Sequence, residues 1–173
     1  MRVADIGSGT LRNLHVQETS FDEVSLVETE RRCKKLKLDV ADKNHIQLQS
    51  TREFQLDRSR YDAIFLISVL HTIPDPKYRQ RLVNLAASKV RRGGFIVVDV
   101  PQSETYYLRR SNSLPRFKDG YLLRWGRYYT FYKNFYASEL DALFEKTSKL
   151  QLFEKTHYCK HLIRIWRRYE KRD

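Results

Sequence analysis

Gly7 and Gly9 follow a short apolar run, Val3-Ala4-Asp5-Ile6, and Glu28 closes a second apolar run nineteen positions after Gly9. A strand that ends in such a turn lets the backbone come close to a ligand, because glycine has no Cβ to clash. An acidic residue at the tip of the next strand can accept hydrogen bonds from both hydroxyls of a ribose. The pairing points to a nucleoside site at the carboxyl edge of an α/β sheet. The turn alone does not select the nucleoside.

A second chemistry-bearing stretch covers residues 102–136. It carries half of the chain's aromatic residues, interleaved with Arg109, Arg110, Arg116, Lys118, Arg124, Arg127 and Lys133 against only Glu104 and Asp119. Alternating aromatics and arginines can stack bases and neutralise phosphates, or clamp an aromatic or acidic small molecule. They can also build a small core whose arginine heads stay wet. We expect most of these aromatics to be structural, with Tyr107, Arg124, Trp125, Tyr128 and Tyr129 reaching a substrate.

Alternating strands and helices must position these groups. Strands are expected at 3–6, 24–27, 46–48 (a short one), 61–67 and 95–100, and helices at 29–38, 78–90 and 137–147. Thr29 is suited to cap the first of these helices, and Arg92-Gly93-Gly94 to end the second. The segment between 101 and 137 reads as irregular. Two strands at 150–154 and 161–166, joined by a short turn, imply an antiparallel hairpin. The fold class is therefore α/β: a doubly wound, mostly parallel Rossmann-like sheet with an antiparallel C-terminal edge hairpin.

Bulk properties narrow the classes. A net charge of +12 and a pI near 9.8 favour an anionic partner, nucleic acid or an acidic substrate, wherever the charge clusters. Cys33 and Cys159 are too few for a disulfide framework and lack metal-ligand spacing, which implies a reducing, cytoplasmic setting and no metal. No apolar run approaches a membrane span. His45, His157 and His161 have no metal-like spacing and receive no role.

The ordered segments resemble the class I S-adenosylmethionine-dependent methyltransferases of the small Rossmann-like kind. The resemblance runs over nearly the whole chain. It rests on Asp5-Ile6-Gly7-Ser8-Gly9, on Val27-Glu28, on Tyr61-Asp62-Ala63-Ile64 leading to Ser68-Val69-Leu70-His71-Thr72-Ile73, and on Val90 to Asp99. A nicotinamide-binding fold is disfavoured because the third glycine of its fingerprint is absent.

The resemblance implies S-adenosyl-L-methionine as cofactor and a single methyltransferase domain over 1–173, with 102–136 as an aromatic and basic lid. It implies that the backbone at Gly7, Ser8 and Gly9 holds the methionine part, with Asp5 fixing the turn and approaching the ammonium group. Glu28 would bind the ribose, Ser50 and Thr51 would edge the adenine, and Ser68 would floor the transferable methyl. The chain departs from the family in having Leu11 where another glycine is common and Ser50 where an aspartate is common. Its first strand starts at residue 3, so a cofactor cap is expected from elsewhere in the chain or from sequence preceding Met1.

Methyl transfer from a sulfonium is an in-line displacement that needs positioning, plus a base only where the nucleophile must lose a proton. His71, just past the fourth strand, is the candidate base, and packing beneath the substrate is its alternative role. The chain lacks the Asn/Asp-Pro-Pro-aromatic motif and the Pro-Cys nucleophile of base methylases. The expected acceptor is an oxygen or nitrogen nucleophile, a small molecule in preference to RNA. Self-association into a homo-oligomer is left open. The competing reading is a catalytically inert methyltransferase-like domain that binds nucleic acid or a protein partner.

Overall fold

The computed structural model of this protein describes residues 1–11, 13–102, 114–125, 127–147 and 149–169. Its main sheet comprises β1 (Arg2–Ile6), β2 (Glu23–Glu28), β3 (Ile46–Ser50), β4 (Tyr61–Ile67), β5 (Val90–Pro101), β9 (Leu150–Tyr158) and β10 (His161–Arg168). Their order across the sheet is β3-β2-β1-β4-β5-β10-β9. The first five run parallel, and β10 lies antiparallel between β5 and β9. This is the doubly wound, mostly parallel sheet with an antiparallel edge hairpin.

The central strands β1 and β4 are near-continuous apolar runs because both faces of the sheet are covered there. Ala4 and Ile6 of β1 enter the larger core with Leu82, Val83, Ala86, Phe144 and Trp166, whereas Val3 joins Val24 and Leu26 in a second core on the opposite face. The Phe144 and Trp166 rings stack at 5.2 Å. Strand order reverses on either side of β1, the topological switch point where open α/β sheets form a crevice at the carboxyl ends of their strands.

Five helices are described: α1 (Leu14–Ser20), α2 (Glu30–Leu36), α3 (Thr51–Leu56), α4 (Pro76–Lys89) and α5 (Ala137–Glu145). Thr29 caps α2 as its sequence suggests, accepting the N–H of Arg32. Asp75 caps α4 by accepting the N–H of Lys77, with Pro76 in the first turn where no amide is needed. A short 3-10 turn, Leu70–Thr72, links β4 towards α4.

Two local expectations change, and one helix is added. The segment after β3 is helical, because Ser50 and Glu53 form a reciprocal capping box that starts α3. Gly93 and Gly94 do not end α4. That helix stops at Lys89, buried Val90 is already extended, and the glycines lie within β5. A Cβ on Gly94 would sit 2.7 Å from the Asp62 carbonyl, so glycine permits the close β4–β5 approach where the register slips between Tyr61 and Ala63. Part of the segment read as irregular is an antiparallel sheet of β6 (Arg116–Phe117), β7 (Gly120–Trp125) and β8 (Tyr128–Tyr132). Phe131 and Tyr132 of β8 and the nearby Phe135 are buried.

An ion network joins this small sheet to the main body. Arg79 of α4 donates to the Ile73 carbonyl at 2.5 Å and pairs with the Asp119 carboxylate. Lys133 lies 3.5 Å from Asp119 and 3.1 Å from Glu139. Both cations also sit over the Phe135 ring.

Candidate active site

At the switch point the carboxyl ends of β1, β2 and β4 open into a cleft of about 330 Å³. Its wall includes Gly7, Gly9, Glu28, Thr51, Ser68 and Val69. Gly7 takes φ +77°, and a Cβ there would lie 2.6 Å from a methyl of Val69. Glycine thus permits both this left-handed turn and its close packing on Val69 at the cleft. A second cavity of about 500 Å³ adjoins it, sharing Thr51, Tyr78 and Leu82.

Glu28 anchors the cleft. It is 6% exposed; one carboxylate oxygen accepts the N–H of Gly9 at 2.6 Å and the other accepts the N–H of Thr29 at 3.1 Å. A carboxylate has about four acceptor positions, so each oxygen keeps one for a ligand hydroxyl. Arg32 stands 4.0 Å away and also lines the cleft.

No protein-family model matches this sequence, and no curated protein does. Solved structures do match its fold. A methyltransferase dependent on S-adenosylmethionine from Methanosarcina mazei aligns with 98% of this chain and 93% of its own at TM-score 0.75 and 12% identity. One from Clostridium acetobutylicum aligns over 98% and 84% at TM-score 0.72 and 11% identity. An amino pentose methyltransferase from Micromonospora echinaspora, solved with S-adenosylmethionine bound, aligns over 96% and 83% at TM-score 0.70 and 16% identity. The fold is that of a class I S-adenosylmethionine-dependent methyltransferase.

Within this methyltransferase fold the expected site residues divide into those in the cleft and those outside it. Gly7, Gly9, Glu28, Thr51 and Ser68 converge on it. Thr51 also donates its hydroxyl to the Glu28 carbonyl at 3.3 Å. Ser68 holds φ +56°, a left-handed conformation that costs a residue with a side chain about 1 kcal/mol or more, and it does so at the cleft wall. Leu11, at the position where the family often has glycine, keeps a glycine-like φ of +59°.

Ser50 is not on the cleft wall. Its hydroxyl accepts the N–H of Glu53 as the cap of α3. Ser8 is also off the wall, and its hydroxyl is buried with no hydrogen-bond partner among the described residues. Asp5 points away from the wall into the protein, where Gln17 of α1 donates to it at 2.7 Å. Here it ties α1 to β1.

Burial, opposed by the Gln17 hydrogen bond and reinforced by the charge of Glu28, raises the Asp5 carboxyl to about 6. Its folded form thus holds a proton more tightly than the unfolded chain does. The stability Asp5 contributes is fully present below about pH 4 and is lost as pH rises through about 6. Asp5→Asn keeps an acceptor for Gln17 and removes the titration. Its stability relative to wild type, read from urea melts, is expected to grow by about 2–3 kcal/mol between pH 4 and pH 8. Parallel pH profiles for the two proteins would show that Asp5 is not a strained buried acid.

His71 lies in the 3-10 turn outside the cleft wall, its ring packed edge-on against Tyr132 at 5.3 Å. Its Nδ1 is buried with no hydrogen-bond partner among the described residues. Burial, with a further contribution from His161, pushes its pKa down to about 4. The ring is neutral across the physiological range, but it is a weak base for general-base work.

The substrate-side residues are scattered. Tyr128 and Tyr129 are exposed at the β7–β8 hairpin tip, where the Arg127 Nε donates to the Tyr128 hydroxyl at 3.2 Å. Arg124 pairs in register with Tyr129 and Trp125 with Tyr128; Arg124, Tyr128 and Tyr129 do not line the cleft. Tyr107 lies outside the described residues. Instead β8 brings Tyr132 against His71, while the Lys133 N–H donates to the His71 carbonyl at 2.8 Å.

Sequence reasoning missed Thr29, Arg32, Thr72, Ile73, Tyr78 and Leu82 as cleft residues. Thr72 and Ile73 directly follow His71, and Leu82 lies on the apolar face of α4, so a position count from β4 was the available signal. Arg32 and Tyr78 carried none.

Proposed function

We propose that the protein is a methyltransferase dependent on S-adenosyl-L-methionine that acts on an oxygen or nitrogen atom of a small molecule. The observation that carries this reading is Glu28, almost fully buried at the tip of β2 yet facing the cleft with acceptor capacity to spare, beside the Gly7–Gly9 backbone. A ribose diol fits that carboxylate, and the Gly7 and Gly9 backbone lines the same cleft.

When bound, the cofactor supplies an electrophilic methyl group on a sulfonium. The residues of this chain do the holding. Glu28 takes the ribose, the backbone at Gly7 and Gly9 faces the methionine part, Thr51 edges the adenine, and Ser68 forms the floor. Among proteins of the same fold, the enzyme from Micromonospora echinaspora methylates an amino pentose and another is an N-methyltransferase from Bradyrhizobium japonicum. These examples support a small acceptor. The cleft and its adjoining cavity are concave, with mixed polar and apolar linings suited to one.

Calorimetry with S-adenosylhomocysteine tests the reading before any acceptor is known. Saturable one-site binding is expected, with no comparable heat from NAD. A protein that binds neither molecule is not a methyltransferase.

A further inference from the structure

The carboxyl end of β5 and the start of β10 hold a second arrangement, off the cleft wall and joined to it through Ser68. Asp99 of β5 lies level with Ile67 of β4 and Ile163 of β10. Its backbone carbonyl accepts the N–H of Ser68, the residue that lines the cleft. On the same face of the sheet, two positions before Ile163, His161 brings Nδ1 to 2.7 Å from the Asp99 carboxylate. An ionised carboxylate only accepts hydrogen bonds, so the ring carries its proton on Nδ1 and presents a lone pair at Nε2. The Asp99 side chain is 17% exposed and that of His161 35%, so the orienting group is covered while the ring remains accessible.

We propose that His161, oriented by Asp99, is the proton acceptor of the methyl-transfer site, and that the acceptor substrate is a hydroxyl or amine that must shed a proton. The proposal rests on the methyltransferase reading above. The acceptor's O–H or N–H proton passes to Nε2 while its lone pair forms the new bond to the methyl carbon. The electrons of the broken carbon–sulfur bond return to sulfur, and the proton then leaves the imidazole to water. Asp99 is a positioning residue: it fixes the tautomer and favours the imidazolium that forms. His71 is the poorer candidate, being packed on Tyr132 with a buried ring nitrogen.

The test uses the intact protein labelled with 15N in histidine and saturated with either S-adenosylhomocysteine or S-adenosylmethionine. The two share a shape, and only the second carries a sulfonium charge. Among the described residues, the titratable groups about His161 are Asp99 on β5, His71 in the 3-10 turn, Tyr158 opposite it on β9 and the adjacent Lys160. All are common to both complexes, so a difference between them reports the sulfonium.

The His161 titration midpoint is expected to be lower with S-adenosylmethionine by about 0.5 pH or more, while exposed His15 stays put. The nitrogen shifts should place the neutral-form proton on Nδ1, and Asp99→Asn should erase that preference. Equal midpoints in the two complexes, or a proton on Nε2 in the wild type, overturn the proposal. Calorimetry on the same samples separates the levels, since failure to bind either ligand removes the methyltransferase reading itself.

Discussion

Replacing Glu28 with alanine is expected to weaken S-adenosylhomocysteine binding by about 1.5–3 kcal/mol, roughly 10- to 150-fold, the scale of hydrogen bonds to a charged group. The buried carboxylate already holds the Gly9 and Thr29 amides, one on each oxygen. A ribose diol would use the remaining acceptor positions in a site screened from water. Glu28→Gln keeps the shape but loses the charge and part of the acceptor capacity, so its loss should be smaller. Because Glu28 also fastens Gly9, melting of the ligand-free variants must accompany the calorimetry. Unchanged affinity in Glu28→Ala would mean that the ribose lies elsewhere.

Asp119→Ala is expected to cost roughly 3 kcal/mol of folding stability. The substitution strands two cations, Arg79 and Lys133, whose side chains are only 4% and 8% exposed. Arg79 keeps the Ile73 carbonyl and Lys133 keeps Glu139, so part of each charge remains compensated. Glu139→Ala should cost about 1 kcal/mol or less, because that carboxylate is 43% exposed and screened by solvent. Urea melts of the two variants give the comparison. A small loss in Asp119→Ala would show that Phe131, Tyr132 and Phe135 hold the β6–β8 sheet in place without the network.

The centre of the parallel sheet was legible in the sequence because strands covered on both faces are near-continuous apolar runs. Their shortness and flanking glycine and proline residues mark them as strands. Thr29 before Glu30 announced α2 for a similarly local reason. The Ser50-x-x-Glu53 capping box was equally local but was overlooked. The glycines before Phe95 misled because their pattern resembles a helix terminus. In the folded protein, the close approach of the Asp62 carbonyl requires Gly94 within a strand.

The sequence by itself determined the glycine turn, the acid at the tip of β2, and the order of strands and helices, since each depends on neighbours a few residues apart. Only the tertiary structure decided what those residues touch. It turned Asp5 towards Gln17 and placed Tyr132 rather than Tyr128 or Tyr129 beside His71. It also joined Asp99 to His161 across 62 positions of sequence. Such contacts are set by strand register and by which face of the sheet a side chain occupies, and a one-residue change in register would reverse every one of those faces.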